Sequence, residues 1–421
     1  MSIHYNDLKR TGFATLAKGL AAVSAFIMTA IIARKYNVEN AGFFFISFTF
    51  FSFLSIFFKL GLDSIIIREV SSKGLTELTN NIFTRILIWV TIVQAPFIII
   101  FCAFGSWICS HVLKKPELYD VLFWFIISLP FAMFYLMYSC VSLGKGWVIR
   151  ATFFQNLGVS VVFIPMMIVT LIIGKLGIQD VAKLFFLSNI VVFCIALYEL
   201  FLKTNYKFKK VTFFDNELFA SCKNLWLGSV MTLIVWWGSI VISSFILHSE
   251  EVAILSAAQR TAYITSFILM ISNMSMAHRF SHLWFKGEII LLKSTVLKMT
   301  RLLIIVAIPI LVIILSFPAK IMSVFGKEYV VASSALILFA LGQFTNIIAG
   351  SASTLLNMTG NERLYKIASL FGGLTAVIFG VVLTYFYGVL GAAASTAIAM
   401  LAQNIVLVYF IKKKFDFYMF I

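Results

Sequence analysis

The chain has 421 residues, 61% of them hydrophobic and only 12% charged, with a formal net charge of +16. Charged residues make up about a quarter of an ordinary soluble domain, so a soluble fold is excluded. The lysines and arginines sit mainly at the ends of apolar runs and do not gather on one surface, which excludes nucleic acid as the partner.

Twelve apolar runs follow one another at 13–33, 42–60, 83–109, 118–141, 151–173, 181–202, 224–247, 254–278, 300–317, 331–356, 365–387 and 389–411. About 20 apolar residues cross a hydrocarbon core of about 30 Å. Lipid offers the backbone no hydrogen-bond partner, so each run must satisfy its own amides and is read as a helix. The first run is too long for a signal-peptide core and carries Lys18, so it is read as the first span. Pro96, Pro130, Pro165 and Pro309 fall within runs and predict kinks. The stretch 203–223 combines Lys203, Lys207, Lys209 and Lys210 with Phe213, Phe214 and Leu218, which reads as a linker lying on the membrane surface. It divides an N-terminal lobe, 1–202, from a C-terminal lobe, 224–421. The fold class expected is an all-α polytopic membrane protein of about 12 helices in two pseudo-symmetric six-helix lobes.

With alternating connections assigned to opposite sides, 23 lysines and arginines fall on the side of the two termini and nine on the other. The positive-inside rule then makes both termini cytoplasmic.

Three features of the outer loops recur at an offset of 211 residues. Glu39 corresponds to Glu250, Glu117 to Glu328 and Gly177 to Gly388, each preceding the even-numbered helix of its hairpin. Six helices per half start both halves on the same side, a parallel repeat of the kind that carries substrate between its halves.

Polar residues step by three and four along several spans. The first carries Thr15, Lys18, Ala22, Ala25 and Thr29, and the second Thr49, Ser52, Ser55 and Lys59. The seventh has Ser229, Thr232, Trp236, Ser239 and Ser243, the eighth Ser256, Arg260, Tyr263, Ser266, Met270 and Asn273, and the tenth Gln343, Asn346, Gly350, Ser353 and Asn357. Small polar stripes also serve ordinary helix packing. Packing needs no cation, however, and a charge at a helix centre costs about 2.5 to 3.5 kcal/mol on insertion scales, so Lys18 and Arg260 point to a cavity. Lys59 lies at a cytoplasmic end, four residues before Asp63, where an ion pair one turn on is the competing reading. Lys18, Lys59, Trp236, Arg260, Asn273, Gln343 and Asn346 are the candidate cavity residues. No Asp or Glu is central in any span, so the lining suits an anionic, hydroxyl-rich ligand: a diphosphate for the cations, sugar hydroxyls for the amides. His278 and His282 are four apart without a carboxylate or thiolate near them in sequence, and no metal site or catalytic group is read.

The opening residues Ile31-Ile32-Ala33-Arg34, Glu39-Asn40-Ala41-Gly42-Phe43 and Leu60-Gly61-Leu62-Asp63-Ser64-Ile65-Ile66-Ile67-Arg68-Glu69 resemble polysaccharide flippases of the O-antigen transporter family. Phe325-Gly326-Lys327-Glu328-Tyr329 and Asn357-Met358-Thr359-Gly360-Asn361 are similar to the same family's loops. The resemblance implies the multidrug/oligosaccharidyl-lipid/polysaccharide (MOP) exporter superfamily, a MATE-like pair of lobes and alternating access. It implies a flippase, not an enzyme, for undecaprenyl-diphosphate-linked repeat units of O-antigen, capsule or a related glycan in the bacterial inner membrane. The partners implied are that lipid-linked oligosaccharide, the membrane lipids, and the polymerase and chain-length proteins of the pathway. No cofactor is expected; coupling to a proton or sodium gradient follows from the family alone, since no buried carboxylate relay is read. The rival on the same fold is a multidrug/cation antiporter, which would want central acidic residues. A membrane polymerase would want a sizeable outer loop, and the longest here is about a dozen residues.

Overall fold

The structure is a computed structural model and describes residues 5–73, 77–174, 177–204 and 216–419. The linker read at 203–223 lies mostly outside the described residues. Every regular element among the described residues is helical. In chain order these are α1 (Tyr5–Lys35), α2 (Val38–Phe57), α3 (Leu62–Lys73), α4 (Glu77–Trp107), α5 (Leu118–Ile127), α6 (Leu129–Gly144), α7 (Val148–Thr152), α8 (Gly158–Ile173) and α9 (Ile178–Thr204). There follow α10 (Asn216–Ile246), α11 (Ser249–Phe285), α12 (Ile289–Ser316), α13 (Pro318–Met322), α14 (Ser333–Ala349), α15 (Ala352–Met358) and α16 (Glu362–Phe415).

Nine segments among the described residues are long and apolar enough to cross a membrane. One of them, Glu362–Phe415, contains two of the predicted spans. The remaining two spans are α1 and α11, the more polar of the long helices, which carry Lys18 and Arg260. The spans at 83–112 and 289–316 are each only 22% buried, which leaves their apolar outer faces for lipid.

Where the backbone departs from the expected spans, the reason is local. The predicted span 118–141 is two helices meeting at Ser128, with Pro130 in the first turn of α6, where its missing amide costs nothing. Pro130 therefore starts a helix, whereas Pro96, Pro165 and Pro309 do lie inside α4, α8 and α12. The predicted span 151–173 is joined from α7 and α8 by a π-turn, Phe153–Leu157. The predicted span 331–356 breaks after α14 at Gly350, whose φ of 59° few other residues adopt. In α16 Gly388, with φ 56° and ψ −133°, reverses the chain. Its two arms run side by side: Gln403 Nε2 lies 3.3 Å from Ser369 Oγ, and Gly380 sits opposite Ser395.

The chain divides into two compact units, Met1–Met28 with Phe43–Trp226, and Thr29–Gly42 with Leu227–Ile421. The first unit is packed by aromatic rings. Phe44, Phe48 and Phe51 share one face of α2 and meet Phe125 of α5, Phe163 of α8 and Phe185 of α9. The rings of Phe125 and Phe185 stack at 4.3 Å, and the ring of Phe51 stands edge-on to Phe185 at 5.1 Å. The second unit has a core of large side chains, among them Phe280, Leu292, Leu355, Leu407 and Phe415, and small residues where particular helices cross. A Cβ on Gly342 of α14 would lie 2.9 Å from the backbone of Ala397 on α16, and one on Gly373 would lie 2.8 Å from the Met231 sulfur of α10. Absent side chains let these helices approach closely. The elbow between α1 and α2 belongs to this second unit: Arg34 Nε donates to the Val324 carbonyl at 2.6 Å.

Candidate functional site

Among the described residues each unit holds a polar chamber, and both chambers lie where a helix departs from α geometry. The chamber of the first unit has a volume of about 480 Å³. The polar stripe of α2 supplies Ser52 and Ser55 to it, Lys59 follows in the turn after that helix, and Asp63 stands in the first turn of α3. Lys59 and Asp63 are not one helical turn apart, because α2 ends at Phe57 and Leu60 and Gly61 take positive φ values of 53° and 74°. Across that turn both a cation and a carboxylate line the cavity.

The π-turn and the start of α8 supply a further part of the lining. Phe154, Gln155, Asn156, Gly158, Val159 and Ser160 all line the chamber, a run of near-consecutive residues that a regular α-helix would spread around its circumference. Tyr135 of α6 closes the site, its hydroxyl donating to Asn189 Oδ1 at 2.9 Å while Asn189 Nδ2 donates to the Phe185 carbonyl at 2.8 Å. Ser55 is only 6% exposed, and its hydroxyl has no hydrogen-bond partner among the described residues. Below the chamber, Tyr138 donates to Glu199 at 3.2 Å, and Glu199 faces Arg150 at 4.0 Å. Sequence reasoning reached Lys59, Ser52 and Ser55 through the α2 stripe but missed Gln155, Asn156 and Ser160. Their adjacency in sequence hid them from a search by helical spacing.

The chamber of the second unit is smaller, about 110 Å³. It forms beside the break at Gly350 and is lined by Thr232, Trp236, Asn273, Asn346, Tyr365 and Asn404 among others, all neutral. Asn404 Nδ2 donates to Asn346 Oδ1 at 2.9 Å, and the Thr232 hydroxyl lies 2.8 Å from Tyr365 Oη and 3.1 Å from Ser369 Oγ. Trp236 is fixed from behind. Its carbonyl accepts from Gln259 Nε2 at 2.7 Å and from the Tyr263 hydroxyl, and its ring centroid lies 5.2 Å from that of Tyr263.

The structure therefore brings three predicted residues, Trp236, Asn273 and Asn346, into one chamber and places Lys59 in the other. Gln343 is fully buried and accepts from the Ser266 hydroxyl, tying α14 to α11 away from the chamber. Arg260 lies outside both chambers, with Nη1 3.4 Å from Thr29 Oγ1 at the end of α1. Lys18 is on α1 in a stretch whose side chains lie outside the described residues, as does the side chain of His278.

The polysaccharide biosynthesis protein family matches residues 8–284, and the MatE family matches residues 229–386. An uncharacterized membrane protein of Methanocaldococcus jannaschii is 22% identical over 437 residues, covering 98% of this chain and 85% of that protein. Among solved structures, the lipid II flippase MurJ in an inward closed conformation is similar with a TM-score of 0.77 and 17% identity, covering 95% of this chain and 87% of MurJ. An inward-facing multidrug resistance MATE family transporter of the MOP superfamily is similar with a TM-score of 0.73 and 16% identity, covering 96% and 94% of the two chains. At these identities the two structures establish the fold.

Proposed function

Since this chain belongs to the polysaccharide biosynthesis protein family and is a multi-pass membrane transporter of the MOP superfamily, we propose that it flips undecaprenyl-diphosphate-linked oligosaccharide repeat units across the bacterial inner membrane. The observation that carries this reading is the pair of chambers lined with amides and hydroxyls inside helices whose outer faces are apolar. Buried polar groups without a partner are costly, so such linings are retained where a polar ligand satisfies them. Amides offer both donors and acceptors and match sugar hydroxyls. The polyprenyl tail stays in lipid while the headgroup passes through the protein by alternating access of the 1–202 and 224–421 lobes, joined by the basic linker at 203–223. Both termini lie in the cytoplasm by the distribution of lysine and arginine. Lys18 and Arg260 attract the diphosphate, and the polymerase and chain-length proteins of the same pathway receive the flipped unit.

One observation favours a second reading. Asp63 places a carboxylate in the larger chamber, as an antiporter of cationic drugs would require. Mass spectrometry of lipid extracts from a strain lacking this protein separates the two. Accumulated diphosphate-linked repeat units with loss of surface polymer, both restored by the intact gene, are the expected result. A normal carrier pool with raised sensitivity to cationic dyes would replace the flippase by the antiporter.

A further inference from the structure

We propose that the chamber of the first unit is a sugar-binding site that holds one hexose-sized ring of the transported headgroup, an inference that rests on the flippase reading. Its volume of about 480 Å³ lies within the range of small-molecule cavities. The lining discriminates among ligands. Lys59 and Asp63 are the charged residues of its lining, one of each sign, so the chamber offers no excess of positive charge to a diphosphate and no paired carboxylates to a metal ion. What remains is a dense set of neutral groups that both donate and accept. Gln155 and Asn156 each present an amide with two donors and an acceptor, and the π-turn delivers them side by side. Vicinal hydroxyls of a sugar ring have the matching character and a matching adjacency. The Ser55 hydroxyl, buried and without a partner among the described residues, adds a further group for the ring to satisfy. Phe48, Phe154 and Tyr135 offer aromatic cover to the apolar face of the ring. Hydrogen bonds from Lys59 and to Asp63 would be charge-assisted and hence the stronger ones.

The inference is tested by saturation-transfer NMR on the full-length protein in detergent micelles, with methyl glycosides of glucose, galactose, N-acetylglucosamine and N-acetylgalactosamine as probes. Transfer to at least one glycoside is expected, and joint Gln155→Leu and Asn156→Leu substitution should weaken it about tenfold or more. Thr375→Val, half-buried on α16 in the second unit, should leave it unchanged. If the double variant loses its thermal unfolding transition, Ser160→Ala and Lys59→Met are read singly in the same way, each expected to weaken transfer. Absence of transfer to all four glycosides, or undiminished transfer in the folded variants, overturns the site. Reconstitution keeps the two readings apart. A protein that flips lipid-linked oligosaccharide but binds no glycoside refutes the chamber alone, whereas one that binds glycoside but flips nothing refutes the transport reading.

Discussion

The two units differ in what surrounds their polar chambers, although each has a core of large side chains. In the first, large rings from α2, α5, α8 and α9 interlock, and bulky side chains hold the helices apart around a chamber of about 480 Å³ that contains a cation and a carboxylate. In the second, Gly342 and Gly373 draw α14, α16 and α10 together, and the chamber of about 110 Å³ is lined by neutral groups already bonded to one another. The roomier chamber offers the groups for binding, and the smaller one behaves more as a polar joint between helices.

The comparison can be broken at its contacts. Phe185→Ala removes the ring that meets Phe48, Phe51, Phe125 and Phe163, and should cost about 3–5 kcal/mol of stability, read as a lowered unfolding temperature in detergent. A cost below about 1 kcal/mol would show that the ring cluster does not hold the first unit together. In the second unit Gly342→Leu pushes a side chain against Ala397, and a cost of about 2–3 kcal/mol is expected from overpacking. An equal loss from a Phe44→Leu change in the first unit would erase the contrast between the two packings. Arg260→Ala should lower flipping in proteoliposomes about tenfold, equivalent to about 1.4 kcal/mol, with unchanged protein yield. Unaltered flipping would remove Arg260 from the substrate path and leave it a packing partner of Thr29. The smallest effect expected is that of Tyr135→Phe, which deprives Asn189 Oδ1 of its donor and should cost about 1 kcal/mol in thermal unfolding. Combined with Asn189→Leu, the penalty should shrink, since both partners are then apolar.

Much of the architecture was legible from composition and spacing. Ten of the twelve predicted spans overlap the nine apolar segments among the described residues, and the other two overlap the helices α1 and α11, which lie outside that set. The offset of 211 residues also has a structural counterpart. Glu39 and Glu250 stand in the first turns of α2 and α11, while Gly177 precedes α9 and Gly388 precedes the second arm of α16. The candidate site was legible in part. The α2 stripe led to Ser52, Ser55 and Lys59, and the α10 stripe led to Thr232 and Trp236. Spacing could not separate Gln343, which bonds Ser266 within the helix packing, from Asn346 three residues later, which lines a chamber. Both residues lie on the same stripe of α14 and each has a partner, Ser266 of α11 for Gln343 and Asn404 of α16 for Asn346, so the crossing of the neighbouring helices decides which one borders a chamber.

By itself the sequence determined that this is a multi-pass helical membrane protein, because runs of this apolar length in lipid must satisfy their own backbone amides. Only the tertiary structure decided where cavities open. The π-turn at 153–157 and the break at Gly350 are local departures from α geometry. A pattern search that assumes 3.6 residues per turn is blind at those points, and they are the points where both chambers form.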